Sequence, residues 1–578
     1  MSGPLRQVTL HWRGLGLALL AVLLPFELKT PLVALGPIVI TNVEFLLYLL
    51  ILWWIVSLLP ERRIHWTLVH SAVLAWLIVQ FSAAILAPLE RDAAIKFALR
   101  STGGAAIFFI AAEWARTATG AARVMVAIVI GVVISALAGL LEVQSTAIQS
   151  AFLIFKTQAT LVGGQVRASG TFQYANTAAM YWEAALPLVL AAGVWWSSKR
   201  AQRRWLILTL AVSLIVIEAI IWSGSRAALI STAMALGFLI ISARMRVTRS
   251  DLGRPALMSL IGLGLLIGVQ LIDNPTFAVR LRSENDDSWY RAALEPAQSE
   301  LIAASDEVFT TTVSVTNTSV RTWPASGPRP VRVSYHWIQP GSQRVFILDG
   351  LRTPLPRDLA PGESAAVSAL VKAPPLTGTL LLQWDLVQED VTWFSERGSA
   401  VSDVSVQVMP AALHQAKTVA ELRGRLSNTA SPARSQLWQA GIRMWLRHPL
   451  LGSGPDNFRH IYGQYLGQTA FDDRITANSW YVELLATTGG VGLIAWMLIP
   501  AALVVTLWRQ WGLCPPGTRL LMIGLAAALI AFFLHGAVDY FMEFTPIYGL
   551  FWLIVGLMVG LLTGIQEDVE VVGSADRI

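Results

Sequence analysis

Residues 476–498, TANSWYVELLATTGGVGLIAWML, pass from a polar edge at Asn478 into an apolar run that continues to residue 507. An α-helix needs about 20 predominantly apolar residues to cross the hydrocarbon core of a bilayer. Closely spaced glycines also allow a membrane helix to approach its neighbours, and this run contains Gly489, Gly490 and Gly492. The stretch therefore predicts a packed membrane span over 480–507.

Apolar runs of this length recur along the whole chain. Its 578 residues are 54% hydrophobic and 14% charged, whereas soluble domains carry about 25% charged residues. The first run has a basic start but lacks a small-x-small cleavage site, which favours a retained span over a removed signal peptide. We predict a polytopic α-helical membrane protein with about twelve spans, near 14–27, 38–59, 66–88, 95–114, 121–143, 176–195, 204–222, 226–243, 255–273, 480–507, 518–537 and 545–564.

Basic residues concentrate in alternate loops between these spans. Short cytoplasmic loops carry an excess of Lys and Arg, so the loops that hold these residues are predicted to be cytoplasmic. Both termini then lie in the cytoplasm, and 144–175 and 274–479 lie outside the cytoplasmic membrane. The net charge of +6 is explained by this distribution and indicates no nucleic-acid partner.

The large outer segment has a strand-rich part followed by a helical part. Stretches such as VFTTTVSVTNTS (308–319) and VRVSYHWIQ (331–339) alternate apolar and polar residues, which predicts an all-β, immunoglobulin-like sandwich. Tryptophans in this part would pack in its core or stack on sugar. The predicted divisions are a membrane domain of nine spans (1–273), a linker (274–299), the β insert (300–410), a helical loop (411–479), a membrane domain of three spans (480–565) and a cytoplasmic tail (566–578).

Two arginines stand where predicted outer loops meet spans. Arg226, in SGSRAAL (223–229), lies at a helix start, and Arg167 precedes Asn176, a predicted helix cap. A guanidinium carries a fixed charge and suits bidentate binding of phosphate oxygens. These positions therefore indicate either anion binding or simple interfacial anchoring and capping.

A third basic segment precedes the tenth span. Arg434 and Arg443 follow helical spacing with apolar residues, so the segment predicts an amphipathic helix that ends at Pro449. Gly452 and Gly454 then allow the backbone to bend where a side chain would clash. Such a helix and loop suit an anionic headgroup, or form a solvated charged face.

No residue spacing in the sequence suggests a bound cofactor. The histidines nearest this loop, His448 and His460, lack metal-ligand spacing with a partner. The single cysteine, Cys514, excludes an intrachain disulfide framework. Acids inside predicted spans (Glu44, Glu183, Glu218 and Asp539) would pair with cations or relay protons. We expect no metal and no cofactor.

Five motifs in order resemble the O-antigen ligase family, which shares its membrane domain with Wzy-type O-antigen polymerases. They are RASGTFQYANTAAMY (167–181), SGSRAAL (223–229), SPARSQLWQAGIRMWLRHPLLGSGPDNF (431–458), NSWYVELLATTGGVGL (478–493) and HGAVDYFMEFTPIYGLFWLIVG (535–556). The resemblance covers 1–299 and 411–565 and excludes the strand-rich insert.

The resemblance implies a class C glycosyltransferase-like fold and metal-independent transfer of a glycan. The donor would be an undecaprenyl diphosphate-linked saccharide at the outer face of the cytoplasmic membrane, and the acceptor a glycan or glycolipid, as in lipopolysaccharide assembly. By motif position, Arg434 and Arg226 would hold the donor diphosphate, with Arg167 in the same task. Substrate contacts would extend to Asn176, Arg443, Gly452, Gly454 and Asn457.

One position departs from the family pattern. Relatives carry a His before the tenth-span motif, proposed as the base, where this chain has Asn478 or, on another alignment, Thr476. Neither is a general base near neutral pH. His460 or a carboxylate such as Asp472 or Asp473 would substitute, or the reaction would depend mainly on diphosphate stabilisation, or catalysis would be lost.

The sequence leaves other functions open. A Wzy-type polymerase differs from a ligase only in its acceptor. A non-catalytic glycan-binding scaffold fits the missing His and the β insert. A lipid or polysaccharide transporter fits twelve spans, but related halves are common in transporters and none is visible here.

Overall fold

The computed structural model describes residues 4–35, 38–61, 65–157, 159–162, 165–200, 204–245, 252–274, 277, 289–327, 329–339, 344–347, 350–375, 377–389, 392–409, 432, 434–467 and 473–575. Half of the predicted linker and the stretch 410–431 lie outside these residues.

Fifteen α-helices are present in the described residues. They are α1 (Pro4–Leu23), α2 (Asn42–Glu61), α3 (Leu68–Ile85), α4 (Arg91–Trp114), α5 (Ala118–Gln144), α6 (Thr146–Ala151), α7 (Ala175–Arg200), α8 (Arg204–Trp222), α9 (Arg226–Arg244), α10 (Gly253–Asp273), α11 (Arg434–Arg447), α12 (Phe458–Leu466), α13 (Trp480–Gln510), α14 (Pro516–His535) and α15 (Thr545–Ala575).

The described residues contain ten helices that are long and apolar enough to cross a membrane. They are α3–α5, α7–α10 and α13–α15, and each lies on a predicted span. Shorter apolar stretches, Gly14–Leu23 in α1 and Asn42–Val56 in α2, lie on the two remaining predicted spans. The polytopic helical architecture is therefore confirmed, and the total of twelve spans stays a prediction.

Contacts between loops show which helix ends lie together. Lys29 N donates to Ile154 O (2.9 Å), which joins the α1–α2 and α6 regions, and Asn457 Nδ2 donates to Leu89 O (2.7 Å). At the opposite end of the bundle, Arg116 and His65 both contact Glu567 near the end of α15. Alternate loops thus gather at the same end, the arrangement that the predicted topology requires.

Helices α7 and α15 form the centre of the bundle. In each helix, 94% of an apolar stretch of 18 residues is buried inside the protein. Small residues make this possible: a Cβ added at Gly556 would lie 2.6 Å from Ala111 on α4, and one at Gly560 would lie 3.0 Å from Ala112 O. Close backbone approach through small residues is the usual way in which membrane helices pack.

The insert consists of two β-sheets around one core. The larger sheet has the order β10 (Thr353–Pro354), β8 (Val331–Gln339), β12 (Gly378–Gln388), β14 (Ser402–Met409), β6 (Glu300–Ala304), with β9 (Arg344–Ile347) on β8 and β13 (Thr392–Trp393) on β12. The smaller has the order β11 (Ser364–Lys372), β7 (Val308–Asn317), β5 (Ala292–Pro296). Trp323, Trp337 and Trp384 are fully buried. Burial accounts for these rings as core residues; an immunoglobulin-like topology stays a prediction.

The small sheet begins before the predicted insert. Strand β5 lies within 274–299, and its residues pair antiparallel with β7, with Leu294 opposite Val315. Both of these side chains are buried in the insert core. The last part of the predicted linker therefore belongs to the sheet. Two short hairpins complete the described strands: β1 (Val33–Leu35) with β2 (Ile38–Ile40), and β3 (Leu161–Val162) with β4 (Gln165–Val166).

Helix α13 is broken at Gly489, where φ is 67° and ψ is −171°. The loop after α11 docks into this break: Gly490 N donates to Pro449 O (2.8 Å) and Val491 N donates to Leu450 O (3.1 Å). A Cβ on Gly489 would collide with Leu450 O. The left-handed backbone and the close approach both require glycine here.

We predict that Gly489→Ala destabilises the protein by more than about 1 kcal/mol, because alanine is strained at positive φ and its methyl group would displace the docked loop. Thermal unfolding in detergent measures the change. Gly268→Ala in α10 is the matched control, because a Cβ there meets nothing within 4 Å. Equal melting temperatures for the two variants would contradict this account of the break.

Candidate functional site

Four polar side chains, two from helices α7 and α11 and two from connecting segments, form a connected chain at one end of the bundle. Arg167 Nη2 donates to Asn176 Oδ1 (2.5 Å), and Asn176 Nδ2 donates to Asp539 Oδ2 (3.1 Å). Arg434 Nη2 lies 3.9 Å from the same Asp539 oxygen. Residues from two of the quoted motifs thus meet a carboxylate from a third. This cluster of Arg167, Asn176, Asp539 and Arg434 is called the arginine network below.

The remaining predicted arginine lies at the start of a neighbouring helix. Arg226 is the first residue of α9, and the Ser225 hydroxyl accepts a bond from Ala228 N, capping that helix. Arg167 Nε donates to Ser223 O, two residues before the cap. A helix N-terminus carries partial positive charge and favours anions. The turn 223–226 thus carries Arg226 and accepts a hydrogen bond from Arg167.

Arg434 is the most accessible member of the network. Its side chain is 45% exposed, whereas that of Asp539 is only 10% exposed. It lies on the first turn of α11, whose opposite face is buried through Leu437, Ala440 and Met444. The helix therefore presents a fixed cation at its exposed edge, next to a buried carboxylate that holds its position.

A buried ion pair fixes the turn that carries Arg167. Lys156 Nζ lies 2.6 Å from Glu142 Oε1, and both side chains are fully buried. Glu142 Oε2 also accepts from the backbone N–H of Ser169 (3.2 Å) and of Gly170 (2.7 Å). Gly170 has φ of 55°, and a Cβ there would lie 2.6 Å from Ser135 O. The turn is thus bonded directly to the end of α5.

The predicted loop glycines contact protein and leave no gap beside them. A Cβ on Gly452 would lie 2.5 Å from Thr487 O, and one on Gly454 would lie 2.6 Å from the Ala87 methyl group. Asn457 is fully buried and its Nδ2 donates to Leu89 O and Ser453 O. These three residues pack the loop against α13 and against the α3–α4 connection. Their contacts fix the position of the loop.

Arg443 also has a structural contact. Its Nη1 donates to Tyr465 O at 2.8 Å, which links α11 to α12. This bond involves none of the four residues of the arginine network. A substrate contact by Arg443 therefore stays a prediction.

Asn478, at the family His position, and the residues that could replace that His as the base occupy different surroundings. Asn478 has a left-handed backbone with φ of 47°, and its carbonyl accepts from Trp438 Nε1 (3.4 Å). His460, in the first turn of α12, is half-buried, and its Nε2 is buried without a hydrogen-bond partner. Asp473 is exposed, and Asp472 lies outside the described residues.

Sequence reasoning missed an acidic cluster beside this loop. Arg459 Nη2 lies 2.5 Å from Asp456 Oδ2, and Arg459 Nη1 lies 4.0 Å from Glu543 Oε2. Glu483 acts electrostatically on Arg459 as well and accepts from Ala477 N (2.8 Å). The cluster of Asp456, Arg459, Glu483 and Glu543 is called the acid cluster below. Asp456 and Arg459 are three positions apart in the sequence, but Glu483 and Glu543 come from separate segments, so no local spacing indicates the whole cluster.

Burial changes the acidity of these groups. Desolvation raises the pKa of Glu543 to about 7, and repulsion from Asp456 adds to the effect. Desolvation also raises the pKa of Asp456, although the neighbouring Arg459 opposes it. The phenol of Tyr540 has a pKa raised well above its usual value, again mainly by burial. The site thus holds carboxyl groups that titrate nearer neutrality than exposed ones.

A second missed group is a fully buried trio beneath the network. His535 Nδ1 lies 2.8 Å from Glu183 Oε1, and the Ser231 hydroxyl donates to Glu183 Oε2 (2.6 Å). The sequence shows Glu183 as an acid within a predicted span, but not its partner His535, which is 352 positions away. Such a pairing leaves no signal in local spacing.

Comparison with known proteins supports the resemblance seen in the motifs. The family model described as O-antigen ligase matches residues 371–497. This range begins in the last strands of the insert and includes Arg434, the docked loop and the first part of α13. A search of curated proteins finds no match. The matched residues carry an O-antigen ligase domain, which agrees with the resemblance of the motifs and with a function of the membrane glycosyltransferase type.

We predict that Glu142→Gln destabilises the protein by about 3 kcal/mol or more, because it leaves the buried Lys156 ammonium without its counter-charge. Thermal unfolding in detergent tests this. The double variant Glu142→Gln with Lys156→Met serves as the control and should recover part of the loss, because it removes both charges. The single variant Lys156→Met is measured as well. If the stability lost in the double variant equals the sum of the losses in the two single variants, pairing is excluded as the cause.

Proposed function

We propose that this protein moves a saccharide from an undecaprenyl diphosphate carrier to an acceptor sugar at the outer face of the cytoplasmic membrane. The observation that carries the proposal is the arginine network, in which motif residues distant in sequence converge on Asp539. In this topology both termini are cytoplasmic, and the network and the β insert lie outside. The match to the O-antigen ligase family supports lipid-linked glycan as the substrate class.

The geometry suits a leaving diphosphate. Arg434 offers an exposed guanidinium, and Arg226 stands at a capped helix N-terminus near Ser223, which holds Arg167. The acceptor oxygen bonds to the anomeric carbon while the bond from that carbon to the phosphate oxygen breaks. The electron pair leaves on undecaprenyl diphosphate, and preorganised cations stabilise that developing charge. Asp539 and Asn176 contact Arg434 and Arg167 and hold them in position.

Two related functions make different products with the same site. A Wzy-type polymerase would use a second lipid-linked glycan as acceptor, so its product would be a longer chain on the same carrier. A non-catalytic glycan-binding scaffold is favoured by Asn478 at the family His position, and it would bind donor without turnover.

We predict that Arg434→Ala lowers transfer about 100-fold or more, the scale of losing one preorganised donor to a developing anion. Purified protein in nanodiscs is mixed with undecaprenyl diphosphate-linked oligosaccharide and with rough lipopolysaccharide, and products are followed by mass spectrometry. Reactions without lipopolysaccharide detect chain extension by a polymerase.

Arg509→Ala is the control for this experiment. Arg509 is an exposed arginine near the other end of α13, remote from the arginine network along the helix. Its removal should leave transfer unchanged. Wild-type protein that binds donor but forms no product with either acceptor would reject the enzyme and favour the scaffold. Full activity in Arg434→Ala would reject the assigned role of the network.

A further inference from the structure

A groove on the surface of the helix bundle lies at the end opposite to the arginine network. It has a volume of about 320 Å³ and is formed by the segments 126–134 of α5, 189–196 of α7 and 205–212 of α8. Trp196 in this groove and Asn176 in the network stand on the same helix α7. At 1.5 Å per residue, about 30 Å of helix separates them. The space, called the apolar groove below, is therefore distinct from the site assigned to the donor diphosphate.

The apolar groove offers an occupant hydrocarbon contacts and little else. Its lining residues are aliphatic apart from Gly193, two tryptophans and Thr209. The Thr209 hydroxyl already donates to Trp205 O (2.6 Å), so its hydrogen-bond donor is in use. Pockets of about 300–1,000 Å³ are large enough for small organic ligands. A groove of this size and lining suits a hydrocarbon chain.

Small residues on α7 form the floor of the apolar groove. Ala192 and Gly193 both line it, and a Cβ on Gly193 would collide with Thr209 of α8. On the two flanks, Ile130 of α5 and Leu208 of α8 are 47% and 52% exposed. Large side chains thus stand on both sides of a low floor, and the space between them is open to the surrounding lipid.

The length of the apolar groove corresponds to one leaflet of a bilayer. From Val126 to Ile134, helix α5 rises by about 12 Å, and half of a hydrocarbon core measures about 15 Å. Helix α5 then continues to Gln144 beyond the groove. The topology proposed above places the starts of α5 and α8 in the cytoplasm, so the groove lies in the inner leaflet.

Basic residues stand at the cytoplasmic end of the apolar groove on all three helices. Arg123 lies three positions before the groove on α5, Lys199 three positions after it on α7, and Arg204 directly before it on α8; all three are exposed. Residues three apart share a helix face, so Arg123 and Lys199 continue the lining faces of their helices. The sequences 118–134, 189–200 and 204–212 contain no acid. This end of the groove therefore carries net positive charge.

Aromatic rings mark the level at which a lipid headgroup would lie. Trp196 and Trp205 line the groove next to the basic residues, and tryptophan is enriched at the interface between hydrocarbon and water. Lys199 Nζ lies 5.7 Å from the centroid of the Trp195 ring, which keeps the ammonium at the same level. A chain in the groove would thus leave its headgroup among cations, which attract an anionic lipid.

We propose that the apolar groove binds one anionic phospholipid of the inner leaflet. One acyl chain lies between α5 and α8, and the phosphate lies beside Arg123 and Lys199. This lipid site takes only its topology from the proposed function and is independent of glycosyl transfer.

The first test removes the cations. The full chain in detergent is titrated with dioleoyl phosphatidylglycerol, which is anionic, and with dioleoyl phosphatidylethanolamine, which is zwitterionic, and bound lipid is counted by native mass spectrometry. The wild type should bind phosphatidylglycerol about tenfold more tightly or better. Each basic residue near an anionic lipid contributes about fivefold in affinity. The double variant Arg123→Gln with Lys199→Gln should therefore lose about 20-fold for phosphatidylglycerol and less than about twofold for phosphatidylethanolamine.

A second double variant, Arg244→Gln with Arg509→Gln, is the matched control. It removes the same charge from exposed positions in the last turns of α9 and α13, two helices that do not line the groove. Its affinity for phosphatidylglycerol should equal that of the wild type.

The second test fills the groove. Val129→Trp places an indole on the lining face of α5 and should lower the affinity for phosphatidylglycerol about tenfold or more. Val504→Trp on α13 is the control, because Val504 is 65% exposed and lies outside the groove. Phosphatidylglycerol with a photoreactive diazirine on one acyl chain should label the lining segments of α5, α7 and α8 in the wild type and not in Val129→Trp.

The outcomes decide the assignment without any measurement of transfer. Equal affinities of the wild type for the two lipids, unchanged binding in the Arg123 and Lys199 double variant, or labelling of other helices alone would each overturn the site. Undecaprenyl diphosphate-oligosaccharide that displaces the photoreactive lipid from the same residues would assign the groove to the donor chain and overturn it too. If Val129→Trp does not fold, the charge variants and the labelling of the wild type decide the matter.

Discussion

A carboxylate with 10% of its side chain exposed organises the charged end of this bundle. Asp539 accepts from Asn176, faces Arg434, and receives the backbone N–H of Tyr540 on its second oxygen. A charge removed from water is tolerated only when it is paired and hydrogen-bonded. The starts of α7 and α11, which carry Asn176 and Arg434, are therefore held at fixed positions. The need to pair the Asp539 charge thus also fixes the position of the exposed Arg434 guanidinium.

Much of the architecture is readable from the sequence because membrane spans leave a strong local signal. Each of the twelve predicted spans lies on a helix, and ten are long and apolar enough to cross a bilayer. Alternation likewise indicates most strands of the insert. Strand β5 falls in the predicted linker, because the alternation of apolar and polar residues is too weak to predict a five-residue strand that ends in Pro296.

The candidate site is only partly readable. Arg167, Asn176 and Arg434 are predictable, because each stands in a motif at a helix entrance. Asp539 is visible only as an acid within an apolar run, since its partner Asn176 is 363 positions away. The glycines of the docked loop show the limit most clearly: the sequence indicates that a side chain would clash, but not that the clash is with Thr487 and Ala87.

The central position of α7 and α15 has a consequence for how the protein is made. Helix α7 emerges from the ribosome hundreds of residues before α14 and the segment that follows α14, yet Glu183 on α7 pairs with His535, and Asn176 with Asp539. Chains are synthesised from the N-terminus at about 5–20 residues per second. Glu183 and Asn176 therefore have only their early partners, Ser231 and Arg167, until the later segments are made. The arginine network is completed only near the end of translation. A chain truncated before Asp539 therefore leaves Asn176 and Arg434 without this carboxylate.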